Sequence, residues 1–153
     1  MATIEVSTHL NASPERVRQE LKTSRLLEYV NEGLLSFQAE EASSLPEVWE
    51  EGRFRVRLKL FGWLPIGYQD IGIEQPSESD QWVVRDNGSG SIARVWDHLI
   101  FVEPDGEGTQ YTDRIQVEAG LLTPFVALFA HIQYRYRQRR WRRLVARNFA
   151  YGE

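Results

Sequence analysis

The chain contains no cysteine, which excludes disulfide bonds, thiolate metal sites and a thiol nucleophile. It has three histidines, and His9, His98 and His131 show no ligand spacing, so no metal site is expected. No run approaches the ~18 apolar residues of a membrane-spanning helix. The opening Met-Ala-Thr-Ile-Glu-Val-Ser-Thr-His alternates polar and apolar, unlike a secretory signal, so the expected compartment is the cytoplasm. No Gly-x-Ser-x-Gly is present, and no Ser/His/Asp set follows from spacing. Asn87-Gly88-Ser89-Gly90 reads as a turn, since no Gly-Lys-Ser/Thr follows to cradle a phosphate. No cofactor is expected.

What is present is an aromatic, unevenly charged chain of 153 residues. That length suits a single domain over residues 1–153. It is 42% hydrophobic and 26% charged, as ordinary globular proteins are, and 12% aromatic with five Trp. Aromatics line cores and also apolar ligand pockets. Residues 1–134 carry 11 Lys+Arg against 21 Asp+Glu, whereas residues 135–153 carry seven Arg against one Glu. Such a basic tail binds nucleic acid or an anionic membrane, or pairs with its own acidic body.

The pattern predicts strands and helices in a clear order. Residues 3–10 alternate as a strand. Ser13-Pro14-Glu15 caps and starts a helix, with Val17 and Leu21 on one side. A second short helix begins near Ser24 and stops at Gly33. The period then changes to two. Leu35, Phe37 and Ala39 begin a strand, and Phe54, Val56, Leu58 and Leu60 alternate with Arg53, Arg55, Arg57 and Lys59. Further strands are expected over 66–74 and 82–86, with a turn at 86–90, then a hairpin of 92–103 and 109–118. Thr123-Pro124 starts a last helix that can run to about Phe149. Six consecutive strands imply an antiparallel meander, and its apolar face needs the long helix as cover.

That order resembles the START-like, or SRPBCC, superfamily with its helix-grip fold. The resemblance implies an α+β protein in which a curved antiparallel sheet of about seven strands wraps a long C-terminal helix, with two short helices after the first strand. Trp96-x-His98-x-Ile100-x-Val102, Gly108-Thr109-x-x-x-Asp113 and Tyr136-Arg137-Gln138-Arg139-Arg140 are similar to bacterial members of polyketide cyclase-like type. The resemblance also implies an apolar cavity between sheet and helix that takes lipids, polyketides, quinones or related molecules. It supplies no catalytic set.

Helical phase sorts the last helix. One stripe holds Phe125, Leu128, Phe129, Ile132 and Tyr136, then Arg139, Arg140, Arg143 and Arg147. The other holds Ala127, Ala130, Tyr134, Arg137, Trp141, Leu144 and Val145. Burying the four arginines would be prohibitive, so Tyr134, Trp141, Leu144 and Val145 face the sheet in the second half. Arg137 lies within that apolar stripe. In the first half two readings stay open. Either the alanines face inward, leaving ligand space and an exposed Phe125, Phe129 and Ile132 surface for a homodimer or lid, or the bulky stripe packs inward.

Asp113 shares the apolar strand face with Tyr111 and Ile115 and is the expected mate of Arg137, since an unpaired buried charge is costly. The pair reads either as a fold-fixing ion pair or as a polar anchor for a ligand. His98 joins that face if the hairpin loop is the four residues 105–108, and Asp97, Leu99 and Phe101 do if it is five. His98 reads as a hydrogen-bonded core residue or as a proton-transfer group. Tyr68, Trp63 and Trp82 line or gate the pocket, or else pack in turns and core. The residues expected to bind ligand are Arg137, Asp113, His98, Tyr111, Trp96, Tyr134, Trp141, Tyr68 and Leu58, with His98 and Asp113 the catalytic candidates.

These readings favour binding of a small apolar ligand over catalysis. The alternative is a cyclase or dehydratase acting on a polyketide-like substrate. A minor one is RNA or anionic-membrane binding by the arginine-rich helix. No specific nucleic-acid partner is expected, because the aromatics at 134 and 141 point inward.

Overall fold

The fold is described from a computed structural model, covering residues 1–41 and 44–152. Strand β1 (Ala2–Leu10) leads into helices α1 (Pro14–Leu21) and α2 (Ser24–Asn31). There follow β2 (Leu35–Ala39), β3 (Gly52–Leu60), β4 (Leu64–Glu74), β5 (Val84–Gly90), β6 (Val95–Asp105) and β7 (Gly108–Glu118). A 3₁₀ turn (Gly120–Leu122) then precedes helix α3 (Thr123–Ala146). The strands form one seven-stranded antiparallel sheet in the order β1-β7-β6-β5-β4-β3-β2. The alternation and the single long helix predict the antiparallel sheet and its cover, and the whole is the helix-grip α+β architecture that the resemblance implies. None of the described helices is long and apolar enough to cross a membrane.

Local chemistry sets the element ends. The Ser13 side chain accepts from Arg16 N at 3.2 Å, capping α1 beside Pro14. Helix α3 stops at Ala146, short of Phe149, because Asn148 and Phe149 adopt left-handed φ of 55° and 62°. That reversal lays Phe149 and Tyr151 back on the α1–α2 pair, where Arg16 and Arg25 stack on their rings. The Tyr151 hydroxyl donates to the buried Glu20 carboxylate.

The β6–β7 hairpin closes on only two residues, since Asp105 pairs with Gly108, and Gly106 supplies a φ of +63°. The tighter turn keeps the register of a 105–108 loop. His98 therefore stands opposite Ile115, on the face of Asp113.

One expected turn is a strand. Residues 86–90 lie in β5, and the loop falls after Gly90. Glycine is needed there for closeness rather than for turning. A Cβ at Gly88 would sit 2.7 Å from the Asp70 carbonyl, and one at Gly90 would sit 2.6 Å from that of Tyr68. The consequence is that Asp86 is aimed by a strand opposite His98.

Helix α3 buries Ala130, Tyr134, Arg137, Trp141 and Leu144, which recur at three- and four-residue spacing. Trp141 and Leu144 pack with Leu10, Val17, Leu26, Val30 and Tyr111 into a solid core. Ala130 and Tyr134 pack on Ile4, Val6, Ile115 and Val117. A third cluster of Val56, Ile71 and Ile73 sits under Leu27, Phe37 and Trp49, toward the β2 edge of the sheet. Arg139 and Arg143 face water, as the phase predicts. Arg140 does not: its Nε donates to the Tyr29 carbonyl at 3.1 Å and its guanidinium bonds Glu32 at 2.8 Å, joining α3 to α2.

Candidate functional site

The first half of α3 does not fill the space beneath it. Its inward residues are small: Ala130 is buried, while Phe125, Leu128 and Ile132 are exposed. Of the two helix rotations, the alanine-inward one is realised, with one change. Phe129 is half-buried and turns toward the sheet rather than joining the exposed surface. Between the helix and β2–β5 lies a cavity of about 380 Å³, within the size range of small-molecule sites. Its walls are mostly apolar, with Leu27, Phe37, Trp49, Leu58, Ile71 and Phe129 among them.

Arg137 faces this cavity and is 6% exposed. Its guanidinium carbon lies 4.7 Å from the Tyr134 ring centroid, and its buried Nε has no hydrogen-bond partner. No described residue forms an ion pair with it, which overturns the expected Arg137–Asp113 bridge. Burial opposes its charge, but Tyr134, Asp113, Tyr111 and Asp86 outweigh that and hold its pKa above the ordinary value. It is a fixed cation with unused donors.

Asp113 has other partners. It accepts from His98 Nε2 at 2.7 Å, Tyr111 Oη at 3.1 Å and Gln138 Nε2 at 3.0 Å. Gln138 Nε2 also donates to the Val6 carbonyl at 2.8 Å. Gln138 is one residue past Arg137, a rotation of ~100° on a helix, and that rotation turns it toward β1 and β7. It takes the place expected for Arg137. Burial pushes the Asp113 carboxyl up, yet the bonds from His98 and Gln138 together with nearby Arg137 leave it below the usual range. Burial lowers the His98 pKa, with Asp113 working the other way. A neutral His98 beside a charged Asp113 must donate from Nε2, which leaves Nδ1 as a bare acceptor.

Asp86 is the residue missed by reading 86–90 as a turn. It lines the cavity, and its Oδ1 accepts from Gly72 N at 2.8 Å. Burial pushes its carboxyl up to about 7, against the Gly72 bond and Arg137. The missed signal was alternation, since Val84, Asp86 and Gly88 continue a strand period through the glycines. Gln133 was missed too. Its Nε2 donates to Asn31 Oδ1 at 3.2 Å, while its buried Oε1 has no partner.

Of the expected ligand-binding set, the cavity gathers Arg137, His98, Trp96, Tyr134, Tyr68 and Leu58. Trp96 Nε1 donates to Tyr134 Oη at 3.3 Å, and Tyr68 lies under the Arg55 guanidinium. Asp113, Tyr111 and Trp141 do not reach it. Asp113 stands behind His98, and Tyr111 packs on Trp141 in the solid core, ring centroids 5.2 Å apart. Trp63 is exposed in the β3–β4 turn, and Trp82 lies off the wall. Among the described residues, no three His, Asp or Glu side chains converge as a metal site would need.

Solved structures share the whole architecture. A START superfamily protein from Mycobacterium smegmatis aligns with a TM-score of 0.67 at 14% identity, covering 95% of this chain and 97% of that one. Protein CV1439 from Chromobacterium violaceum aligns at 0.69 and 14%, covering 94% and 97%. Ara h 8.0201 aligns at 0.65 and 9%, covering 95% and 98%. At such identities the likeness establishes the fold. No curated protein matches the chain in sequence. A family model described as a domain of unknown function, DUF8410, matches residues 8–145. The chain therefore belongs to the DUF8410 family, and it carries a START-like helix-grip fold.

Proposed function

We propose that the protein binds one small, mainly apolar molecule of lipid, polyketide or quinone-like character, with an acidic or acceptor end held by Arg137. The observation that carries this reading is the orphaned guanidinium. An unpaired buried charge costs several kcal/mol. A ligand carboxylate or polarised carbonyl in the cavity would offset that cost with charge-assisted hydrogen bonds. His98 Nδ1, Asp86 and Gln133 Oε1 would set the orientation of the polar end, and the walls would take the apolar body.

Mass spectrometry of small molecules extracted from natively purified protein is the direct test. Recovery of an amphipathic species with one acidic or carbonyl end supports the reading. The matching variant is Arg137→Met. It should keep the fold, lose thermal stabilisation by the extracted molecule, and leave the ligand-free protein as stable as before or more so. An unfolded Arg137→Met, with no molecule recovered, would refute the anchor role.

The His98–Asp113 dyad favours a second reading. Nδ1 of a neutral histidine, oriented by a buried carboxylate, is a candidate general base for a cyclase or dehydratase reaction in a dry cavity. Turnover of the extracted molecule that disappears in His98→Phe would establish catalysis.

A further inference from the structure

We propose that the protein docks onto a lipid surface bearing anionic headgroups, through an uncharged apolar rim around the cavity mouth. The chain is 26% charged, yet residues 60–69, 87–93 and 119–134 contain no Asp, Glu, Lys or Arg. These three segments are remote in sequence and meet at one place. Leu60, Ile92 and Phe125, one from each, line the same cavity. Ser91 Oγ accepts from Tyr68 N at 3.1 Å, tying the first two together. The rim is apolar as well as uncharged. Leu121 is 97% exposed, Phe125 71% and Trp63 70%. Met1 and Val48 apart, every exposed large apolar side chain among the described residues lies in these segments.

The charges that flank the rim select the occupant. Lys59, Arg94 and Arg135 end the three segments and are exposed. The acids at the opposite ends are withdrawn. Asp70 is bound by Arg55 at 2.7 and 2.9 Å, Asp86 faces the cavity, and Glu118 bonds the Met1 amino group at 2.9 Å and lies 3.7 Å from the exposed Arg94 guanidinium. A second copy would bring two basic collars together. An anionic bilayer meets the collar with opposite charge and takes the apolar side chains into its interface. Trp63 suits the headgroup level, where amphipathic aromatics accumulate. Docking there would open the cavity mouth toward lipid, so an apolar ligand could pass without crossing water. The surface stands on its own residues and does not depend on which ligand the cavity takes.

The test is sedimentation with vesicles of phosphatidylcholine, alone and with phosphatidylglycerol. Binding should be measurable at low salt, stronger with phosphatidylglycerol, and weakened at least tenfold in a Trp63→Ser, Leu121→Ser double variant. Neither residue lines the cavity, so the melting temperature and circular dichroism should be unchanged. Arg94→Glu should weaken binding to the anionic vesicles alone. Absence of sedimentation at low salt would overturn the proposal, as would full binding by the double variant. So would a dimer, seen by analytical ultracentrifugation, that the double variant dissociates, because a second copy would then occupy the rim.

Discussion

The two halves of α3 cover the same sheet and do opposite things. The second half presents Trp141 and Leu144 to β1, β7 and the two short helices and leaves no space. The first half presents Ala130, and its neighbours border a cavity. The contrast extends to the polar groups at the junction. Gln138 joins a carboxylate whose three donors are all placed, and Arg137 beside it stacks on Tyr134 with its buried Nε left without a hydrogen-bond partner. Stability resides in the packed half. The half that borders the cavity is where a ligand has something to add.

Substitutions should separate the halves. Trp141→Ala removes a fully buried indole from the solid core and should cost about 3–5 kcal/mol, measured by urea unfolding. Asp113→Ala would strand three buried donors and should cost about 3 kcal/mol in the same assay. If either variant proved neutral, the second half of α3 would not be the stabilising half. Leu58→Phe, on the cavity wall, should shift stability by under about 1.5 kcal/mol while reducing the ligand-induced rise in melting temperature.

The same contrast has a pH signature. Asp113 has a depressed pKa in the folded state. Its contribution is present above the unfolded carboxylate value, and is lost as pH falls through the folded one. Asp86 has the opposite sign, with a folded value raised to about 7. The folded state then holds a proton the unfolded chain has released, so stability declines as pH rises from about 4 toward 7. Asp86→Asn should flatten that decline and raise the melting temperature at pH 8 while changing it little at pH 4. A variant whose melting temperature falls at pH 8 would show that the charged carboxylate is wanted there.

Much of the architecture was open to inspection in the residues. The Arg/apolar alternation of β3, the Ser13-Pro14 start and the phase of the arginine stripe are local patterns, and the first two have their expected outcome in the fold, while of the stripe Arg139 and Arg143 face water and Arg140 bonds α2. The glycines of β5 misled because turn chemistry and close strand packing call for the same residue. Gly88 and Gly90 serve the second need. Asp86 went unseen for that reason. Phe129 was assigned by helix phase alone, which does not say how far a ring can swing into a gap.

The sequence by itself determined the order of elements, the buried side of α3 in its second half and the inward position of Arg137. Hydrophobic period is local, and burying an arginine stripe is too costly to be ambiguous. Only the tertiary structure decided which group Asp113 would bind, and therefore that Arg137 would be left alone. That outcome depends on distances between β1, β7 and α3, and on a single ~100° step from Arg137 to Gln138. The cavity was decided in the same way, by how far α3 stands from β2–β5 once its bulky half has packed.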